Sequence, residues 1–328
     1  MMEPQTTPRL ERFVDDTITA QHMADASRLF SQHYGVWGPL ATRPNPSARP
    51  GKRVEMSPSK LHRECCADLG QRETQATDVH NEYVRAVVVV AGEGEGEGEV
   101  EGEGEAGGQK EEIIGHVLAT RWVDTTIGAS SGGRRVCWIT QVVVHTAWRK
   151  RGVATALLRL VNSSTPPAAT PTIYAVLTSH AATLRACCRA FKDNAPLHED
   201  GALDLGFIAA LARPVVRGAP VKYVREAELR GRLFRHHDGK AVRSMAVGWM
   251  RGMREELRQG EVRERGGGGD EGIGGGAVAS AYTGFYVDHG EPDEAVAVAK
   301  RESGGVWKLG ELGEGCEYLA LMVGSEKS

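Results

Sequence analysis

The chain has 328 residues, which is enough for a substantial hydrophobic core in one large domain or two small ones. Its formal net charge is −3, and because a Gly-Glu tract at 92–105 holds seven glutamates, the rest of the chain carries a net +4. This near balance excludes the strongly basic composition that is typical of nucleic-acid-binding proteins.

The cysteines and the hydropathy pattern narrow the class further. The six cysteines include two adjacent pairs but no C-x-x-C spacing, so no zinc or other metal site is predicted. They are interpreted as reduced thiols of an intracellular protein, which we predict to be cytoplasmic, with the nucleus as an alternative. The N-terminus has no signal-peptide pattern and no apolar run reaches membrane-spanning length, so no membrane association is predicted.

The first seventy residues predict a strand followed by two helices. A short apolar piece at residues 13–14 predicts an entry strand, and the apolar spacing within Thr19–Phe30 predicts a helix. Ser57 or Ser59 is the predicted N-cap of a second helix, which is expected to run to Asp68.

Three strands are predicted in the next part of the chain. Glu82–Val90 is rich in valine and predicts a second strand, Ile113–Trp122 predicts a third, and a fourth is expected from Val136. The Gly-Glu tract at 92–108 falls where a hairpin turn would join the second and third strands. Because alternating glycine and glutamate cannot bury apolar surface and repels itself, we predict a disordered surface loop there.

A strand, a basic turn and a helix follow one another over residues 141–161. Val142–Val144 predicts a buried strand, and Thr155–Val161 predicts an apolar helix. The turn between them combines basic with small residues: Arg149, Lys150, Arg151, Gly152 and Ala154. The first N–H groups of a helix lack partners and the helix dipole favours negative charge there, so this arrangement indicates a phosphate-binding site.

The pattern Arg149-x-x-Gly152-x-Ala154 after an apolar strand resembles the acetyl-CoA signature of the GNAT superfamily of N-acetyltransferases. Around it, Ile113–Ala119 resembles the third strand of that family, Thr172–Leu177 its fifth strand, and Ala181–Phe191 the helix after it. The resemblance implies an α/β fold. Its sheet would be mixed, mostly antiparallel and flanked by helices, with parallel strands four and five that splay apart.

The resemblance also implies acetyl-CoA as cosubstrate, with its pantetheine arm in the gap between strands four and five. Backbone groups of Val142 and Val144 are expected to pair with the pantetheine amides. The basic turn, the start of the next helix and the end of strand five complete the predicted cofactor-binding set: Arg149, Lys150, Arg151, Gly152, Val153, Ala154, Thr155 and Ser179.

Two catalytic groups that are common in the family are missing from their expected positions. Thr140 and Gln141 stand where a strand-four carboxylate often takes the amine proton, and an amide cannot act as a base at neutral pH. Ala186 aligns with the tyrosine that often protonates the leaving thiolate. A backbone N–H near Val142 is expected to stabilise the oxyanion.

Gln141, by its position, and His180 are the candidate catalytic residues. Histidine titrates in the useful pH range, so His180, His145 and His116 are all candidates for a substitute base. His180 is preferred because it follows strand five, at the strand end where α/β sites collect. The other two are interpreted as surface or structural histidines.

Three further residues have two open interpretations each. Tyr34 and Trp37 lie in the segment that borders the acceptor site in the family, so they either contact the acceptor or pack a loop onto the core. Asp288 either faces the acceptor cleft or forms a turn before Gly290.

After Phe191 the chain departs from a compact family member, because about eighty residues intervene before the last two strands. We predict a single GNAT-like domain over residues 1–328 with an embedded insertion at 192–276. The insertion is predicted to contain helical spacing in Leu203–Leu211, Arg225–Phe234 and Arg243–Arg258, an extended Val221–Val224, and a glycine-rich linker at Gly266–Gly276. It is expected to pack over the acceptor side, with a dimer or partner surface as the alternative role.

The domain is predicted to close at its C-terminal end. The last strands are expected within Val278–His289 and Cys316–Val323, with a helix near Glu291–Lys300 between them.

The sequence therefore predicts an acyl-CoA-dependent N-acyltransferase, most simply one that transfers acetyl from acetyl-CoA to an amine of unknown identity. The missing carboxylate and tyrosine motivate an alternative, a CoA-binding or protein-interaction module with impaired catalysis. A third hypothesis is a scaffold that binds no CoA. Small amines, antibiotic-like molecules, peptide N-termini and lysine side chains all remain open as acceptors.

Overall fold

A computed structural model describes residues 7–43, 45–70, 76–91, 109–127, 132–163, 171–191, 203–234, 277–302, 307 and 309–324. The predicted disorder at 92–108, the predicted helix Arg243–Arg258 and the predicted linker Gly266–Gly276 lie outside the described residues.

One eight-stranded sheet organises the described chain. Its strands are β1 (Arg9–Val14), β2 (Ala76–Ala91), β3 (Gln109–Asp124), β4 (Arg134–Val144), β5 (Ile173–Thr178), β6 (Glu228–Arg230), β7 (Ser280–Tyr282) and β8 (Cys316–Val323). Their order is β1-β2-β3-β4-β5-β8-β7-β6, and all neighbouring pairs are antiparallel except β4 and β5, which are parallel. The predicted mixed, mostly antiparallel α/β sheet is confirmed.

Seven α-helices flank the sheet in the described residues: α1 (Ala20–His33), α2 (Pro58–Cys65), α3 (Val153–Ser163), α4 (Ala181–Phe191), α5 (Leu205–Gly218), α6 (Lys222–Glu226) and α7 (Gly290–Glu302). Thr19 caps α1 by accepting a hydrogen bond from the His22 N–H, and Ser57 caps α2 by accepting one from Lys60. The second helix ends at Cys65, three residues before the predicted end.

Alternation along β3 separates the helices into two layers. Leu118 packs in a cluster with Met23 of α1 and Leu61 of α2. Gly115 lies on the opposite face, where a Cβ would stand 3.0–3.1 Å from side chains of Val153 and Leu157 of α3. Helices α1 and α2 therefore cover one face of the sheet, and α3 covers the other.

The two outer helices extend these layers. Helix α4 packs beside α3. Helix α5 ends on the α1 face, because Gly218 lies against Asp124 so closely that a Cβ would fall 2.2 Å from the carboxylate.

The β2–β3 hairpin carries the Gly-Glu tract at its end. Ala91 pairs with Gln109, so residues 92–108 connect two positions that are already opposite each other in the sheet. A long connection at such a place lowers the stability of the fold little, because the entropic cost of closing a loop grows slowly with loop length.

Strands β4 and β5 separate at one end, as predicted. They pair only from Val136↔Ile173 to Ile139↔Val176, although β4 continues to Val144. At the same level β4 contains a bulge at Thr140, because Leu118 of β3 pairs with Gln141 while the next residue, Ala119, pairs with Ile139. The open gap beyond the last pair is called the splay below.

Two predictions for the segment after Phe191 are wrong. The segment predicted as extended forms the short helix α6, and the segment predicted as helical forms β6 and a 3-10 turn at Arg232–Phe234. The second error has a long-range cause. β6 pairs with β7 at the edge of the sheet, a long-range partner that local charge and spacing do not reveal.

The penultimate strand is also shorter than predicted. Only Ser280–Tyr282 pairs as β7, and most of the predicted Val278–His289 is irregular. Within it, Val287 forms an isolated bridge with Trp37.

The cysteines and the hydropathy of the helices were both considered in the sequence. All six cysteines are free thiols. None of the helices in the described ranges is long and apolar enough to cross a membrane.

Candidate functional site

The basic turn after β4 has the backbone of an anion-binding loop. Lys150 has φ of 62° and Gly152 φ of 80°, so two left-handed residues alternate just before α3 begins at Val153. Such alternation points successive N–H groups to one side. The helix starts at once, since the Ala156 N–H donates to the Gly152 carbonyl at 3.0 Å. The N–H groups of Val153, Ala154 and Thr155 are therefore available to a ligand.

Gly152 is suited to this position for two reasons. Its positive φ is strained for most L side chains. In addition, no described atom lies within 4 Å of where its Cβ would be, so the space over the turn is open. Lys150 and Arg151 are exposed beside it, and the Arg151 guanidinium lies 5.0 Å from the centre of the Trp148 ring.

Arg149 is directed away from this open space. Its Nε donates to the Val144 carbonyl at 3.3 Å, and its two terminal nitrogens contact the His33 carbonyl and the Glu291 carboxylate. The pKa of Arg149 is lowered by burial and by Arg53. Arg149 thus joins the ends of α1, β4 and α7, whereas the sequence placed it at the phosphate.

The backbone of β4 presents hydrogen-bonding groups to the splay. The His145 N–H donates to the Ile114 carbonyl at 2.9 Å, which fixes the phase of the β3–β4 ladder. In an antiparallel pair the bonded residues alternate with residues whose N–H and C=O point the other way. Val143 therefore bonds to β3, whereas Val142 and Val144 turn their backbone groups toward β5, where pairing has already ended.

A comparison with known families matches this part of the chain. Residues 100–162, which include β3, β4, the basic turn and most of α3, match the model of the acetyltransferase (GNAT) family. This segment of the chain is therefore similar to a GNAT acetyltransferase domain. No curated protein sequence matches it significantly.

A solved structure is also similar over part of the chain. It is Arabidopsis thaliana NAA60 in complex with a bisubstrate analogue, at 22% identity and a TM-score of 0.21. The alignment covers 32% of this chain and 57% of the NAA60 chain, so this chain spans little more than half of that protein.

His180 is the N-terminal cap of α4. Its Nδ1 accepts a hydrogen bond from the Ala182 N–H at 3.2 Å, so the neutral ring carries its proton on Nε2. Burial and the nearby Arg149 lower the pKa of His180 to about 4. A neutral ring whose acceptor nitrogen is already occupied is poorly placed to take a proton from an amine. Ser179, just before it, is buried at the end of β5 beside the splay.

Gln141 is part of a buried polar chain. Its Oε1 accepts from Nε2 of His116 at 2.7 Å, and its Nε2 lies 3.9 Å from the Cys65 sulfur. Burial lowers the pKa of His116 to about 4, and its Nδ1 has no partner among the described atoms. Gln141 therefore joins β4 to β3 and α2, and His116 is a buried member of that polar chain.

The remaining candidates have mainly structural surroundings. His145 Nδ1 accepts from the Ala147 N–H at 3.2 Å, and Asp288 accepts from the Gly290 N–H at 3.0 Å in an exposed turn. Trp37 lies between two backbone bridges and packs edge-on against Phe285 at 5.6 Å. These geometries favour the packing and turn interpretations for all three.

Sequence reasoning missed a group of titratable side chains around the bulge. The Tyr223 hydroxyl donates to the Thr140 carbonyl at 3.3 Å, using the acceptor that the bulge leaves out of the ladder. Tyr223 also lies within electrostatic reach of Cys65, Glu317 and Tyr34. We call Tyr34, Cys65, Tyr223 and Glu317 the bulge cluster. Cys65, Tyr223 and Glu317 come from α2, α6 and β8, and Tyr34 is the C-cap residue that follows α1.

Glu317 is the member of the bulge cluster with the most unusual titration. It is 8% exposed, and burial raises its pKa to about 7, with the Thr283 hydroxyl opposing the shift. The pKa values of Tyr34, Cys65 and Tyr223 are all raised, chiefly by burial, so these three groups are neutral at pH 7. The described residues contain no His, Cys, Asp and Glu grouping that could hold a metal ion.

Proposed function

We propose that this protein is a GNAT N-acyltransferase that binds acyl-CoA, most simply acetyl-CoA, and transfers the acyl group to an amine. The observation that carries the proposal is the continuity of two features along one stretch of chain. The backbone of Val142 and Val144 faces the splay, and eight residues later the turn at Gly152 opens onto the free N–H groups of α3.

Each part of the cosubstrate has a matching group in this proposal. The diphosphate binds the N–H groups of Val153, Ala154 and Thr155, with Lys150 and Arg151 adding positive charge. The pantetheine amides pair with the Val142 carbonyl and the Val144 N–H as an added partner of β4 would, because the Val144 carbonyl already accepts from Arg149. The thioester carbonyl then lies beside Val142, whose N–H stabilises the oxyanion of the tetrahedral intermediate.

The reaction needs little more than correct placement of a good leaving group. Holding the amine against the thioester supplies a large part of the rate acceleration. The carbon–nitrogen bond forms, the carbon–sulfur bond breaks with its electron pair on sulfur, and the amine loses a proton. His180 does not serve as the base in this scheme, because its Nδ1 caps α4.

We also propose that the chain forms one GNAT-like domain into which residues 192–276 are inserted on the acceptor side. Two described parts of that insertion support this. Tyr223 contacts the bulge in β4, and β6 extends the sheet beyond β7. A cytoplasmic location and self-association stay predictions.

The test is a thermal-shift titration with acetyl-CoA followed by an assay of thiol release with added amines. A ligand that binds only the native state raises the melting temperature with concentration. We expect a saturable shift and amine-dependent thiol release. A shift without thiol release from any amine would favour the CoA-binding module instead, and no shift at all would favour the scaffold.

A further inference from the structure

The side of the splay opposite α3 carries a carboxylate that no family position predicts. Tyr318 of β8 pairs with Thr178, the last residue of β5, so Glu317 lies one residue beyond the end of β5. Its position is thus across the splay from the β4 bulge.

The face on which Glu317 lies follows from the register of four strands. Side chains alternate along a strand, so Glu317 shares a face with Leu319 and Leu321. Leu321 pairs with Ala175, which pairs with Trp138 of β4, and Trp138 pairs with Thr120 of β3. Thr120 is on the same face as Leu118, the face that α1 and α2 cover. Glu317 therefore lies on the opposite side of the sheet from α3 and the basic turn.

We propose that Glu317 is the general base of the acyl transfer and that the acceptor is a primary amine that enters from the α1–α2 face. This inference rests on the proposed function. A cosubstrate anchored at the N-terminus of α3 leaves its thioester in the splay open to attack from the other face, and Glu317 is the carboxylate at that opening.

The surroundings of Glu317 suit an amine. Every titratable group of the bulge cluster that faces it from α1, α2 and α6 is a tyrosine or a thiol that is neutral at pH 7. Cys316, its neighbour on β8, also has a raised pKa because of burial. None of the described basic side chains forms an ion pair with Glu317, so an incoming ammonium group is the cation that compensates its charge.

The proton inventory balances without another reactant. The ammonium gives one proton to the Glu317 carboxylate, and the neutral amine attacks the thioester carbon. As the carbon–nitrogen bond forms and the carbon–sulfur bond breaks, the thiolate leaves with the electron pair. The amide nitrogen releases its second proton, and one of the two protons ends on CoA while the other passes to water.

The experiment compares the full chain with three variants. Glu317→Gln keeps the shape and removes the base, and Glu317→Ala leaves room for a small carboxylate. Glu314→Gln, at an exposed position three residues earlier, is the matched control. Acetyl-CoA binding is measured by calorimetry. Thiol release is then measured with a tetrapeptide that has a free N-terminus, Nα-acetyl-lysine amide, spermidine and tyramine.

We expect all four proteins to bind acetyl-CoA with similar affinity. Glu317→Gln should lower kcat/KM by roughly 100-fold or more, which is typical of a lost general base. The acidic limb of the pH profile, centred near the pKa of Glu317 of about 7, should be absent from that variant. Added formate should restore part of the rate of Glu317→Ala but not that of Glu317→Gln, and sodium chloride at the same ionic strength should restore neither.

Two outcomes would overturn the assignment while the proposed function stands. They are a wild-type rate in Glu317→Gln, and a rate loss that is equal at every pH and is not rescued by formate. Failure of the parent to bind acetyl-CoA, or binding by the parent without thiol release from any of the four amines, is a different result, because it overturns the proposed function itself.

Discussion

The two sides of the splay are built in different ways. The side that faces α3 comes from one continuous stretch, from Val142 through the turn to Thr155. The bulge cluster on the other side is assembled from α1, α2, α6 and β8, and its members are separated by up to 283 positions between Tyr34 and Glu317. The first side is a backbone site and is visible as a sequence pattern. The second is a side-chain site that exists only after the chain has folded.

The two sides should therefore respond differently to substitutions. A backbone site depends on φ angles and free N–H groups, so bulk or charge at one glycine destroys it. A side-chain site depends on burial, so its chemistry is lost with one carboxylate while cosubstrate binding survives. The predictions below test that separation, from the largest expected effect to the smallest.

Gly152→Asp should reduce acetyl-CoA affinity by about 100-fold or more, because it places bulk and negative charge where we propose that the diphosphate binds. The fold should persist, since Asp tolerates left-handed φ and no described atom lies within 4 Å of the new Cβ. Calorimetry with protein checked by circular dichroism measures the effect.

Gly51→Asp is the matched control for that change. Gly51 also has a positive φ, of 76°, and open space around it. Gly51→Asp should bind acetyl-CoA with the affinity of the parent. The affinity of Gly152→Asn should lie between those of the parent and Gly152→Asp, because asparagine adds bulk without charge. Parent-like affinity in folded Gly152→Asp would mean that the diphosphate does not bind at this turn.

Glu317→Gln should stabilise the fold at neutral pH and not in acid. The pKa of Glu317 is raised from 4.5 to about 7 in the folded state. Its contribution to stability is therefore complete below pH 4.5 and is lost as the pH rises to 7. By linkage the parent loses on the order of 3 kcal/mol across this window, and the variant does not.

Urea denaturation at pH 4.5 and pH 8 measures this difference. The pKa values of His116 and His180 are lowered to about 4, so these two histidines make the fold less stable as the pH falls. Because the parent and the variant both contain them, this effect cancels in the difference. A stability difference between parent and variant that is the same at both pH values would contradict a buried, protonatable Glu317.

Arg149→Ala should lower the free energy of unfolding by about 1–3 kcal/mol, because it leaves the Val144 and His33 carbonyls and Glu291 without their shared donor. Arg151→Ala, which removes an exposed cation near the Trp148 ring, should change stability little. In contrast, Arg151→Ala should weaken acetyl-CoA binding in a salt-dependent way. The reverse pattern in denaturation and binding would place Arg149 at the phosphate, as the sequence motif implies.

His180→Ala should cost about 1 kcal/mol of stability, the usual penalty for a lost N-terminal cap. His180→Asn should recover most of it, because the asparagine side chain can accept the same Ala182 N–H. Turnover of both folded variants should stay close to that of the parent. A large loss of turnover in His180→Asn at parental stability would identify His180 as the base after all.

Much of the fold could be predicted because its signals are local. The valines of β2 and β4 and the apolar spacing of α1 each act through near neighbours in the chain, and a strand or helix formed in each predicted segment. The failures are equally informative. β6 is a strand only because β7 offers it an edge, and α2 ends early because the chain must turn at Cys66 to bring Asn81 against the Ala67 backbone.

The sequence by itself predicted most of the strands and helices up to α4 and the basic glycine turn before α3, because hydrophobic period, glycine conformation and helix-end electrostatics are properties of contiguous residues. The mixed, mostly antiparallel arrangement of the sheet was implied by the resemblance to the GNAT family. Only the tertiary structure decided the surroundings of the side chains near the splay. In the folded chain Arg149 contacts two carbonyls and a carboxylate, and His180 caps α4. Glu317 is buried among tyrosines and a thiol. Burial and charge at a point depend on everything that packs around it, and residues that are distant in sequence supply most of that surrounding.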